Sequence, residues 1–72
     1  MELTAEEIAR HYSAAMDSVN IINEINAGQH DERMTEEEKA DALSRNKAHL
    51  EIMLAKDFWT TEDLQPFRDA IA

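Results

Sequence analysis

Seventy-two residues make one domain close to the lower limit at which a single core outweighs chain entropy. Sixteen acidic against seven basic side chains leave a formal charge of -9, which repels nucleic-acid backbones and anionic membranes and would steer a basic protein toward the chain. The absence of cysteine excludes a disulfide framework and a thiolate zinc site, and a single glycine excludes a glycine-rich phosphate loop.

The opening "MELTAEEIARHYS" is acidic and polar where a signal peptide needs a basic start and an apolar run, and no stretch approaches about 18 apolar residues. A cytoplasmic chain, neither secreted by a signal peptide nor associated with membrane, is the expectation. Thr4 followed three positions on by Glu7 is a capping-box pattern, and Gly28 suits the left-handed residue that closes a helix. The spacing predicts a helix over 5–27. Ile8, Tyr12, Ala15, Val19 and Ile22 recur at intervals of four and three, which makes them the core face. A second row, Ala14, Ser18, Ile21 and Ile25, lies about a third of a turn away. The firmly polar edge, Glu6, Arg10, Ser13, Asp17, Asn20 and Glu24, is narrow. A helix in a simple hairpin needs one apolar stripe of about 100°, so this one is expected to meet two neighbours.

"QHDERM" is a short polar connection, and Thr35 with Glu38 repeats the capping box. A second helix is predicted over 36–56, antiparallel to the first because the loop is short. Its stripe is Leu43, Leu50, Met53 and Leu54, flanked by Ala40 and Ala42 and interrupted by Asn46 and Lys47. Ile52 stands almost opposite that stripe, with Ala48 beside it, offering a small, smooth face to another helix.

"KDFWTTEDLQPF" gathers the only Trp, the only Pro and both Phe residues. Thr60 with Asp63 has the spacing of another helix start, which predicts a short helix over 61–71 with Trp59 packed on Leu64 as a hydrophobic staple. Pro66 then either opens the final turns or kinks a helix already begun. Phe58, Trp59, Leu64 and Phe67 are expected to close the open end of the hairpin, with Trp59 near Leu54. The competing role for Trp59 is an exposed anchor for a partner.

Catalysis leaves traces that this chain lacks. There is no HExxH, and no Glu precedes a His by three residues as a di-iron bundle requires. Glu7 and His11 lie at i,i+4, and His49 comes from the neighbouring helix, but histidines on helix margins are more often simple polar side chains. No catalytic residue, metal or cofactor is therefore expected. The fold class is all-α: a helical hairpin plus a short C-terminal helix, with two hairpins able to pair as a four-helix bundle. Self-association as a dimer would use Ala14, Ser18, Ile21 and Ile25 against Ala48 and Ile52, which makes the chain a non-catalytic protein–protein interaction module. The alternative is an acidic inhibitor or nucleic-acid mimic that occupies a basic groove on a host protein.

Residues 45–71, "RNKAHLEIMLAKDFWTTEDLQPFRDAI", resemble the C-terminal part of small uncharacterised helical proteins of tailed bacteriophages, especially marine ones. In that group an R-N-x-x-H-L-E-I-M segment runs into D-[FY]-W-T-x-E-D. The matching positions here are Arg45, Asn46, His49, Leu50, Glu51, Ile52, Met53, Asp57, Phe58, Trp59, Thr60, Glu62 and Asp63. The resemblance implies a phage accessory or virion-associated protein, resident in the host cytoplasm, with no activity to transfer. It also implies that Arg45, Asn46 and His49 act together as a polar cluster holding the aromatic segment.

Overall fold

Both capping boxes form, and they fix where the two long helices begin. In a computed structural model that describes residues 2–72, helix α1 spans Ala5–Asn26, α2 Glu36–Leu54 and α3 Gln65–Ile71. The Glu7 amide donates to Thr4 Oγ1 at 3.1 Å while the Thr4 amide donates to Glu7 Oε1 at 3.1 Å. Thr35 and Glu38 exchange the same pair of bonds at 2.9 and 3.1 Å. Two orphan donors are satisfied at each start, and Glu6, Glu36 and Glu37 add negative charge where the helix dipole is positive.

Gly28 ends α1 as its position predicts. Its φ is +81°, its amide donates to the Ile25 carbonyl at 3.1 Å, and the Gln29 amide donates to the Glu24 carbonyl at 3.0 Å. These two bonds define a Schellman motif, whose left-handed residue is glycine because a Cβ is disfavoured there. A Cβ at this position would also lie 3.1 Å from Asp31 Oδ2. The connection that follows is tied down at both ends. Lys39 reaches Asp31 at 2.7 Å and Glu36 at 2.8 Å, and His30 bonds Glu24 at 2.9 Å.

α1 and α2 pack as an antiparallel hairpin, and α3 folds back onto both. The core lies where the three meet: Ala15, Val19 and Ile22 of α1, Leu50 and Met53 of α2, Phe67 and Ala70 of α3. Phe67, Ile22 and Leu50 are fully enclosed, while Tyr12, Met16, Leu43, Leu54, Trp59, Leu64 and Ile71 pack around them. Of the expected core face of α1, Ala15, Val19 and Ile22 are buried and Tyr12 packs against them, whereas Ile8 is half-buried outside this cluster. Each fully buried side chain of this size contributes about 1.5–3 kcal/mol, so the three central ones carry much of the stability.

Three boundaries differ from the sequence reading, the first only slightly: α1 ends at Asn26 rather than residue 27, with Ala27 as its C-cap. α2 stops at Leu54 rather than Lys56, because the Trp59 indole N–H donates to the Met53 carbonyl at 2.7 Å and draws the chain back over the helix end. α3 begins at Gln65 rather than residue 61. The Thr60 amide is taken by the Glu62 carboxylate at 2.9 Å, so Thr60 does not cap a helix, and Asp63 Oδ1 instead accepts from the Gln65 amide at 3.0 Å. Leu64 becomes the N-cap of α3, and Pro66 sits in the first turn, where its missing amide costs nothing. Trp59 and Leu64 are both half-buried against the core, but they do not form the staple of a helix starting after Thr60.

Candidate interaction surface

The sequence singled out two groups of residues, and the fold places them in different regions. Phe58, Trp59, Leu64 and Phe67 gather at the end of the hairpin away from the α1–α2 connection. There the Trp59 ring meets Phe58 (centroids 4.7 Å apart), Tyr12 (6.0 Å) and Phe67 (6.0 Å) in edge-to-face geometry, the arrangement favoured by the ring quadrupoles. His11 stacks on Phe58 at 5.2 Å, and the Tyr12 hydroxyl donates to the Asp63 carbonyl at 2.8 Å. With its N–H bonded to Met53 and its ring against three aromatic side chains, Trp59 is built into the protein rather than held out as an anchor.

The second group lies along the seam of the hairpin. Ser18 is 5% exposed and shares a 2.8 Å hydrogen bond with His49 Nδ1, which ties α1 to α2 near the middle of both helices. One turn toward the connection, Asn46 sits half-buried and donates to the carbonyl of Ala42, its own helix's residue four positions back, at 2.7 Å. These polar groups form the floor of a shallow groove. Its walls include Ile21 and Ile25 from α1, Ala42 and Arg45 from α2, and Met34 from the connection, and no residue of α3 lines it.

A hairpin packed only through Ile8, Tyr12, Ala15, Val19 and Ile22 would leave both Ile21 and Ile25 in water. Instead Ile25 is 6% exposed, because α2 closes over it beside the small, buried Ala42, while Ile21 stays 38% exposed on the rim. α3 does not cover this row either: Phe67 and Ala70 lie against Ala15, Val19 and Ile22. Ala14 and Ala48 are exposed, and Ile52, at 55%, is the most exposed large apolar side chain among the described residues. Ile52 follows Arg45 by seven positions and His49 by three, so it continues the α2 wall of the groove beyond the Ser18–His49 bond. The row on α1 and the pair on α2 therefore border one surface.

Arg45, Asn46 and His49 do not hold the aromatic segment. Arg45 pairs with Asp41 at 3.0 Å on the exposed side of α2, and the other two serve the seam. The aromatics are held by Met53, Tyr12 and His11, pairings no local spacing announces. His11 and His49 have separate partners, and among the described residues no three His, Asp or Glu side chains are grouped as metal ligands.

Among the described residues, three ionisable groups depart from their ordinary behaviour, each at a helix start or turn. Hydrogen bonds from the Thr4 amide and hydroxyl lower the Glu7 pKa, and the Thr60 amide lowers that of Glu62. Bonds to Asp31 and Glu36 raise that of Lys39. All three belong to the scaffold rather than to the groove. No described helix is long and apolar enough to cross a membrane. No family model, curated protein or solved structure matches the chain.

Proposed function

We propose that this chain is a non-catalytic helical interaction module that self-associates through the face of the hairpin that α3 leaves bare, two hairpins pairing as a four-helix bundle. One observation carries the reading. Ile21 and Ile52 are the large apolar side chains left exposed among the described residues; Ile21 lines the groove and Ile52 follows Arg45 and His49 on the same face of α2, whereas the bulkier aromatics are used internally. Ile21 and Ile52 are 38% and 55% exposed, so covering what remains is worth only part of the about 1.5–3 kcal/mol of a whole isoleucine, but a closed dimer gains each contact twice. The resemblance of residues 45–71 to phage proteins fits an accessory or virion-associated role.

Sedimentation equilibrium of the wild type and of Ile21→Glu tests this. A dimer at tens of micromolar, converted to monomer by a charge on the groove rim with helicity unchanged, is the expected result. A wild type that stays monomeric at that concentration contradicts the reading.

A further inference from the structure

The bare face carries a knob and a hollow, and their placement says how two copies would meet. Ile21 follows Ser18 by three positions and Ile52 follows His49 by three. Because the helices run in opposite directions, Ile21 and Ile52 lie on opposite sides of the Ser18–His49 bond, each about 4.5 Å along the helix from it. The hollow, between Ile21, Ile25, Ala42 and Asn46, lies on the Ile21 side. On the other side Ile52 projects, and the small Ala48 beside it leaves room for close approach.

We propose that the occupant of this face is a second copy of the chain, docked about a two-fold axis so that Ile52 of each copy enters the groove beside Ile21 of the other. The proposal rests on the self-association reading and adds the pairing. A two-fold axis lying in the interface, crossing the Ile21–Ile52 line near the Ser18–His49 bond, brings each knob onto the facing hollow. An isologous interface requires that kind of self-complementarity. An axis along the Ile21–Ile52 line would instead set Ile52 against Ile52, knob upon knob, with both hollows empty.

Charge also favours a second copy over a basic protein. Of sixteen acidic residues only Glu24 lines the groove, where it is bonded to His30, and Arg45 stands across from it. A cationic partner drawn by the net charge would find little to bind here. Two chains of -9 repel one another, so added salt, which screens that repulsion, strengthens their association, whereas it weakens a complex with a basic partner.

The chain has no cysteine, so introduced ones report cleanly. Within one chain, Ile21 and Ile52 are separated by about 9 Å along the helices alone, beyond the roughly 7 Å between Cα atoms that a disulfide spans. Ile21→Cys, Ile52→Cys, their equimolar mixture and the double variant are oxidised mildly and compared on non-reducing gels. The mixture should give the mixed covalent dimer and the double variant a covalent dimer, while each single variant alone remains mostly uncross-linked. Either single variant cross-linking with itself as readily as the mixture would overturn the pairing. Light scattering of the reduced proteins separates the two levels. A dimeric wild type without mixed disulfide refutes the pairing alone, and a monomeric wild type refutes self-association with it. A wild type that is monomeric alone but is captured by polylysine at low salt shows a basic partner in place of the second copy.

Discussion

On the side of the hairpin that α3 covers, the space beside the seam is filled by Phe67 and Ala70 and sealed at its end by Trp59, Tyr12 and Phe58. On the opposite side the same two helices present Ser18, Asn46 and His49, each already hydrogen-bonded, with Ile21 and Ile52 at the rim. One side obtains its stability from bulk, the other its alignment from polar pairing. The bare side is not a defective core: none of the described residues has a buried side-chain polar atom without a partner. What it leaves unsatisfied is apolar surface alone. A small chain with few large side chains has spent them where α3 can cover them, and has left two isoleucines where a second chain can.

Removing bulk from the covered side should have the largest effect. Phe67→Ala opens a cavity among Ile22, Leu50 and Met53 and is expected to cost about 3–5 kcal/mol in urea unfolding, enough to unfold much of a domain this small. A loss below about 1 kcal/mol would mean that α3 is not part of the core. Trp59→Ala ranks next, at about 3 kcal/mol, since the ring is half-buried rather than enclosed. Trp59→Phe should retain most of that packing and forfeit mainly the bond to Met53, about 1 kcal/mol. Wild-type fluorescence typical of a solvent-exposed indole would restore the anchor role that the fold denies to Trp59.

On the bare side, Ser18→Ala removes the partner of His49 and should cost about 1–2 kcal/mol, less than either aromatic truncation. A double-mutant cycle with His49→Ala isolates the coupling, and a coupling of zero would remove the Ser18–His49 bond from the account of alignment. The smallest effect belongs to neither side. Glu7 and Glu62 have lowered pKa values in the fold, so their contribution is fully present above the ordinary carboxylate range and is lost as pH falls through the lowered values. Glu7→Gln should flatten part of the acid limb of a stability–pH profile, and an unchanged limb would show that its cap bonds are not maintained in solution.

How far the sequence foretold this arrangement follows from the range of each interaction. Thr4 with Glu7, Thr35 with Glu38, and Gly28 act within a few residues of themselves, so the starts of α1 and α2 and the end of α1 were legible. The 3.6-residue period exposed Ala15, Val19, Ile22, Leu50 and Met53 as core. The end of α2 was not legible because Trp59, outside the helix, decides it through Met53. The start of α3 was misread because the acid at Glu62 competes for the Thr60 amide before Asp63 can. Within the candidate surface, Ile21 and Ile52 were identifiable from periodicity alone. The burial of Ile25 and the pairing of Ser18 with His49 depend on the register between two helices, which no window along one of them contains.

The central claim, one side finished within the chain and the other by a second chain, is tested most directly by isoleucine-methyl NMR with a soluble paramagnetic probe over a dilution series. Ile22 should be protected from the probe at every concentration. Ile21 and Ile52 should be protected at high concentration and become accessible together as the protein is diluted. Ile21 and Ile52 remaining equally accessible throughout the series would contradict the claim.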